Sequence, residues 1–480
     1  MELKKFFSPA PKLRPQLNLG CLFDIPNGRY YIGRHGESIL NGGLAYFTGV
    51  AGKGNTFKST IMHFMTLVVV DRFKCANAMV YDTEMSLTTQ RLYQLAAQLP
   101  HIGGLDLEEH GRLMLTDGTS MIGNVWFKAL SDFSKEKLKD AKSWTFTTPF
   151  IDHKTGANFT ALAPTPVELD SLSMFTTDSV GNIYEKNSVG DSGANTDALR
   201  GAAAKSQMLM QIPTMTASCA IYLLTSAHVG KQHQLDPYAP PAKQLQYLKG
   251  QNAFKHVPEK FSFLTNNLYF ISGAQALLNK TTKAPEYPSG PDDNVENDPD
   301  LQLITIQNLR AKAGPTGFPY ELIVSQREGL LVGLSELNYI KSFDRFGIGG
   351  NDRTYFLELC PDINLSRTTV RTKLKESAKL RRAMEITAEL CQMTALGYQT
   401  ETTREALSGE EEVREKDLVC TAKELYDDLK AKGYDWDVLL DTRGYWVFEE
   451  HAKEEKPFLS TMDLLRMRAG LYHPYWLPKK

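Results

Sequence analysis

The sequence predicts an α/β fold: a mainly parallel sheet flanked by helices, followed by a smaller helical or α+β region at the carboxyl end. Three observations predict it. A glycine-rich stretch, residues 52–60 in "AYFTGVAGKGNTFKSTIMHFMTLVVVDRF", joins a strand pattern to a helix pattern. Downstream, short apolar β-branched runs alternate with helical periodicity, the rhythm of a parallel sheet covered on both faces. After about residue 335 that alternation stops.

In order along the chain, residues 1–45 are punctuated by Pro and Gly, too short for an independent domain, and a candidate oligomerisation segment. The core is expected over 46–335. In it "AYFTGV" reads as a strand, "KSTIMHFMTLVVVDRF" as a helix, "AMVYDTE" as a buried strand and "LTTQRLYQLAAQL" as a helix. An insertion is expected near 101–165, with a helix around "NVWFKALSDFSKEKLKDA" and the polar stretch "FTTPFIDHKTGANFTALAPTP". Next come a helix at "DALRGAAAKSQMLMQI" and strands at "CAIYLLTSAHV", "NLYFISGAQALL", "LQLITIQNLRAK" and "FPYELIVSQ". The acidic, Pro/Gly-punctuated "APEYPSGPDDNVENDPD" reads as a loop between two of them. A helical basic region is expected over 336–405. A charged linker and a small α+β domain follow over 406–480, with "TAKELYDDLKAKGYDWDVLLDTRGYWVFEE" as a helix plus a hairpin.

Composition narrows the function classes. Net charge is formally −2, so no global basic field advertises nucleic acid, and DNA binding would come from local loops. The six cysteines (Cys21, Cys75, Cys219, Cys360, Cys391, Cys420) form no CxxC pair, which argues against a disulfide framework or structural zinc. No run reaches the ~18 apolar residues of a membrane span, and the start lacks a signal-peptide core. The expectation is a soluble protein without a membrane partner in the cytoplasm, or in the host cytoplasm if phage-encoded.

Two lysines compete for a phosphate. A phosphate-binding loop needs consecutive backbone N–H groups, a lysine for the β/γ-phosphates and an adjacent hydroxyl for Mg²⁺, all at a helix N-terminus. Lys53 is followed by Gly54 and has no helix behind it. Lys58 is followed by Ser59, Thr60 and an apolar helix, so Lys58 is the phosphate lysine. Gly52, Gly54, Asn55, Thr56, Phe57, Lys58, Ser59 and Thr60 are then the nucleotide-binding positions, and Ser59 a Mg²⁺ ligand. The spacing is that of a Walker A loop, with Phe57 where glycine is usual.

The G-x-x-x-x-F-K-S text resembles the phage UvsX-type branch of the RecA recombinase family, and the resemblance covers roughly residues 42–335. It implies a RecA-like ATPase core using ATP and Mg²⁺. "MVYDTEMS" puts Glu84 where that family carries the carboxylate that orients the attacking water, with Asp82 a competitor on the same face of the strand. The Walker B aspartate is Asp170 in "TPVELDSLS" or Asp178 in "SMFTTDSVG"; Asp170 is favoured, and the other is a helix cap. In "CAIYLLTSAHVGKQ", Ser226 and His228 match the polar γ-phosphate sensor. The stretch 230–260 carries Lys231, Lys243, Lys249, Lys255 and Lys260 among Tyr238, Tyr247 and Phe254, a mixture suited to single-stranded DNA. "GDSGANTDALRG", 190–201, resembles the first DNA loop, with Arg200 and Lys205 nearby. "IQNLRAKAGPTG" carries Arg310 and Lys312, which in RecA relatives enter the neighbouring subunit's ATP site.

The resemblance therefore implies a DNA-dependent ATPase and recombinase, a homo-oligomeric filament on single-stranded DNA that engages duplex DNA during exchange, with replication or recombination accessory proteins as partners. The alternative is a hexameric DnaB-like helicase ring, for which "TEMS" and "AGPTG" also fit; only about 45 residues precede the core, which leaves no room for that family's amino-terminal domain. Beyond the core, "INLSRTTVRTKLKESAKLRR" (Arg367, Arg371, Lys373, Lys375, Arg381, Arg382) reads as a DNA-gateway surface or a solvated helix face. The terminal "GLYHPYWLPKK" reads as a partner dock or a packed end.

Overall fold

The computed structural model describes residues 13–117, 123–175, 192–231, 245, 247–248, 252–290, 293, 295–396 and 418–478. A hairpin of β1 (Arg29–Ile32) and β2 (Ser38–Asn41) precedes β3 (Phe47–Gly52), α1 (Lys58–Arg72), β4 (Ala78–Asp82), α2 (Thr89–Ala96) and β5 (Leu113–Asp117). Then come α3 (Gly123–Lys139), α4 (Ala141–Trp144), the hairpin β6 (Thr145–Ile151) and β7 (Asn158–Leu162), β8 (Thr165–Asp170), α5 (Ser192–Cys219) and β9 (Ile221–Lys231). They are followed by β10 (Asn252–Phe254), α6 (Lys260–Leu264), β11 (Asn267–Ala276), β12 (Leu301–Ala311), β13 (Pro319–Ser325), β14 (Gly329–Leu330) and α7 (Val332–Ser342).

The main sheet runs β14-β13-β12-β11-β3-β9-β8-β4-β5, with β10 on β9. Strands β11, β3, β9, β8, β4 and β5 are mutually parallel; β12, β13, β14 and β10 add antiparallel pairs. Period-two alternation sends successive side chains to opposite faces. Val50, Tyr222, Leu224, Tyr269 and Ile271 enter the core on one face; Phe47, Ala51, Ile221, Leu223, Leu268 and Phe270 enter the core on the other. The fold is thus a mixed α/β one, a mainly parallel sheet between helices, as the sequence predicts.

The first of these cores also takes in both ends of the chain. Phe23 meets Tyr269 and Tyr320 edge-on, and Trp446 meets Phe73 and Phe150. The N-terminal segment and the carboxyl region are therefore packed against the same side of the sheet.

Several details differ from expectation. Strand β4 stops at Asp82, so Glu84 sits in the turn beyond it. "LMLTD" supplies the edge strand β5, and the polar stretch after it is the β6–β7 hairpin. The region expected to be helical over 336–405 holds a three-stranded meander, β15 (Ile348–Gly350), β16 (Tyr355–Leu357) and β17 (Cys360–Leu365), before α8 (Val370–Glu376) and α9 (Ala378–Ala395). Two of its strands have three residues, too few to set up a periodicity. The carboxyl region is α10 (Ala422–Ala431), α11 (Trp436–Leu440), α12 (Glu449–Ala452) and α13 (Thr461–Arg468). The expected hairpin is not formed: residues 443–448 bend at 444–445 and bury Trp446, Val447 and Phe448 in the core, with one parallel bridge between Arg443 and Phe458. Among the described residues no helix is long and apolar enough to cross a membrane.

Candidate nucleotide site at the strand ends

Four parallel strands finish at one edge of the sheet. The register places Gly52 beside His228, Asp82 beside Asp170, and Leu169 beside Thr225. In open α/β sheets the crevice outside the carboxyl ends of the strands is the usual ligand site. Thr83 locks two of these ends: its amide donates to the Asp170 carbonyl at 2.6 Å, and the Ser171 amide donates to its hydroxyl at 2.6 Å.

The loop joins β3 to α1. A Cβ on Gly52 would lie 2.6 Å from Thr56 Oγ1 and 3.2 Å from the Ile271 carbonyl, so the backbone here leaves no room for a side chain. Asn55 and Phe57 are left-handed, with φ of 58° and 63°. For a residue other than glycine this costs roughly 1–2 kcal/mol, which is the physical reason glycine is usual at the position of Phe57. The half-buried phenyl ring packs on the main core and offsets part of that cost. Gly54 and Lys53 are exposed, whereas Lys58 is buried to 7 % exposure and its Nζ donates to the Lys53 carbonyl at 2.8 Å. Thr56 Oγ1 donates to the same carbonyl. Burial pushes the Lys58 pKa down, opposed by the charges of Asp170 and Glu84. Thr60, half-buried on the first turn of α1, faces Gly329 of β14.

The carboxylates divide their work. Asp170, nearly buried, accepts hydrogen bonds from Ser226 and Ser59. Burial raises its pKa, and those bonds pull the other way. Glu84 Oε1 lies 2.9 Å from His228 Nε2, each side chain 31 % exposed. Burial alone would raise the Glu84 pKa; hydrogen bonds from His228 and Ser171 outweigh it and hold it below the ordinary value. Asp82 is engaged elsewhere. Its Oδ1 accepts from the Glu84 amide, and its Oδ2 from the Ser86 and Leu87 amides, all within 2.9 Å. It caps the turn that carries Glu84.

Arg310 and Lys312 lie at the opposite edge of the sheet. Arg310 pairs with Leu268, which is level with Gly49, and its Nε donates to the Thr265 carbonyl. The Lys312 amide bonds Asn266, whose amide bonds Phe47 at the start of β3. Three residues of strand and two interstrand spacings separate the Arg310 backbone from that of Gly52, roughly 10 Å in each direction.

The positions read as DNA-facing are mostly occupied or undescribed. Asp178, Lys243, Lys249 and Tyr238 lie outside the described residues, as do the side chains of 190–201, including Arg200. Lys205 is pushed down to about 8 by burial and donates to the Leu172 and His256 carbonyls. Lys255 donates to the Lys231 carbonyl and Lys260 to Met210 Sδ. Phe254 packs edge-on against Phe261, and Tyr247 joins the same core. The basic run 367–382 is bonded within the chain: Arg367 to the Pro285 and Glu286 carbonyls, Arg371 to Asp300 and Glu328, Lys375 to Glu328, and Arg382 to the Leu459 carbonyl. At the end of the chain, Tyr475 is 66 % exposed and stacks on His35.

Sequence reasoning missed a polar cluster under the loop. His63 on α1, Glu168 and Asp170 bring one ligand atom each to within 4.8 Å of one another, all three buried. Two spacings in the sequence signal it: His63 is four residues after Ser59, one helical turn, and Glu168 is two before Asp170, the same face of a strand.

No family model and no curated protein match this chain by sequence. Among solved structures it is similar to the crystal structure of the RadB recombinase, with a TM-score of 0.32 and 13 % identity, over 60 % of this chain and 92 % of that one. So remote a similarity carries no argument about function, which rests on the site itself.

Proposed function

We propose that this protein is a DNA-dependent ATPase of the recombinase class, acting on single-stranded DNA as a homo-oligomer and promoting strand exchange in the manner of the phage UvsX-type proteins it resembles. One observation carries the reading: the loop of residues 52–58, the Ser59–Asp170 contact and the Glu84–His228 pair meet at one edge of the sheet, while Arg310 and Lys312 lie at the other. The donor set fits Mg²⁺·ATP. A loop at a helix N-terminus, in which Gly52 accepts no Cβ, offers backbone N–H groups to phosphate oxygens. When bound, ATP supplies a γ-phosphoryl group for transfer to water, and Mg²⁺ neutralises its charge.

Lys58 leaves the Lys53 carbonyl to reach the β/γ-phosphates. Ser59 and Asp170 would hold the cation. Glu84, kept ionised by its partners, accepts a hydrogen bond from the attacking water and then its proton. His228 orients Glu84 and relays the state of the γ-phosphate to β9, which leads into the basic, aromatic stretch 230–260. Arg310 and Lys312, on the far edge of their own sheet, serve a neighbouring copy, so hydrolysis depends on assembly.

The test is ATP hydrolysis with and without single-stranded DNA, with negative-stain imaging in a non-hydrolysable analogue. Stimulated turnover and helical filaments are expected. A closed ring would move the reading to the helicase class; absence of DNA stimulation and of any assembly would overturn it.

A further inference from the structure

Beneath the nucleotide loop, His63 and Glu168, which the ATPase reading does not use, lie against Asp170, which it assigns to Mg²⁺. His63 is 4 % exposed, Glu168 0 % and Asp170 4 %. His63 Nδ1 and Glu168 Oε1 form a buried pair 2.5 Å apart, and neither atom has a further hydrogen-bond partner. The remaining oxygens are held from behind. Thr66 Oγ1 donates to Glu168 Oε2 at 2.9 Å, and Ser226 donates to Asp170 Oδ1. Hydrogen-bonded ligands on two rigid elements are the usual surroundings of a metal, where outer partners fix the ligand orientation.

A buried ion pair alone gives a poor account of this cluster. Replacing such a pair by apolar residues of similar volume is often neutral or stabilising, so it is weak ground for a purely structural role. Ligation gives a better one: two carboxylates and a neutral imidazole balance a divalent cation, and buried charges must be paired.

We propose that His63, Glu168 and Asp170 form a buried site for a divalent first-row transition metal, such as Zn²⁺, Mn²⁺ or Co²⁺, which ties α1 to β8 behind the nucleotide loop. The imidazole nitrogen sets the metal class, because Mg²⁺ and Ca²⁺ take oxygen ligands. Bond lengths of about 2.0–2.2 Å put tetrahedral ligand atoms about 3.3 Å apart. From ligand atoms already within 4.8 Å of one another, that geometry is reached by side-chain shifts of about an ångström.

The site shares Asp170 with the Mg²⁺ position of the ATPase reading, and its test contains no nucleotide, so the two can fail separately. Chelator-stripped protein is titrated with Co²⁺, followed by visible ligand-field absorption and by metal content per chain. One Co²⁺ per chain is expected, not displaced by excess Mg²⁺. His63→Gln and Glu168→Gln should each weaken binding at least tenfold, and Thr66→Val, which keeps all three ligands, by roughly 10–100-fold. Should either ligand variant fail to fold, Thr66→Val decides. No stoichiometric binding, displacement by Mg²⁺, or unchanged affinity in the folded variants would overturn the site. An inactive ATPase would leave it standing.

Discussion

Asp82 ends β4 and Glu84 sits two residues on, in the turn beyond it, and replacing each carboxylate by the corresponding amide separates their roles. Glu84→Gln keeps size and a hydrogen-bonding group beside His228 but removes the base. The expected loss in turnover is ~10²–10⁴-fold, or about 2.7–5.4 kcal/mol in the barrier, with ATP affinity and thermal midpoint unchanged. Asp82→Asn acts differently. One amide oxygen can keep the Ser86 and Leu87 bonds, both made to Oδ2, but the Glu84 amide then faces an NH₂ group. Losing one hydrogen bond to a buried charge costs about 1.5–3 kcal/mol, so this variant should melt earlier and lose less activity than Glu84→Gln. The assay is steady-state hydrolysis at saturating ATP, beside nucleotide binding and a thermal melt for each variant. Full turnover in Glu84→Gln, with Asp82→Asn inactive and undiminished in stability, would refute the assignment and move the base to Asp82.

Lys58→Ala should abolish hydrolysis with the fold intact, while Lys53→Ala keeps most activity, because the exposed Lys53 contributes its carbonyl and not its side chain; equilibrium ATP binding and turnover check both. Asp170→Ala should lower Mg²⁺-dependent turnover by on the order of a hundredfold or more, since the metal supplies several kcal/mol of charge stabilisation; a Mg²⁺ titration of rate reads it out. Arg371→Met should destabilise the chain by about 3–5 kcal/mol in a denaturant melt, because it strips a buried cation from Asp300 and Glu328, and should leave DNA affinity alone. Burial raises Asp24 to about 7 and Glu389 to about 8, beside Glu336, Glu385, Arg72 and Arg382. Each holds a proton in the folded chain that the unfolded chain releases near pH 4, so their contribution to stability falls as pH rises from about 4 to 8. Thermal melts across that range should show the decline, and Asp24→Asn with Glu389→Gln should flatten it.

The loop between β3 and α1 was legible because a phosphate-binding chemistry would dictate residue types at fixed spacing: a glycine with no room for Cβ, then lysine and a hydroxyl at a helix start. Phe57 looked anomalous, and its left-handed backbone explains why glycine is usual there. The buried strands were legible through β-branched runs, and the parallel order through their alternation with helices. What escaped depended on contacts distant in sequence. "YWVF" has the composition of a strand, yet Trp446 and Phe448 pack on Phe73 instead of pairing in a sheet. The run 367–382 read as a DNA-gateway surface or a solvated helix face, but three of its arginines bond carbonyls or acids up to 84 residues away in sequence. His63 lies in an apolar helix, and its partner Glu168 is 105 positions downstream, beyond any local pattern.

The central claim is that hydrolysis needs Glu84 from one subunit and Arg310 from the next. Mixing Arg310→Ala with Glu84→Gln protein tests it most directly. Each parent lacks one half of every interface, but a mixed assembly contains interfaces with both halves intact. With random equal mixing and independent interfaces, single-stranded-DNA-stimulated ATPase activity should return to roughly a quarter of wild type, an estimate that rests on a cation acting in trans. No recovery at any ratio, with co-assembly verified, would contradict it.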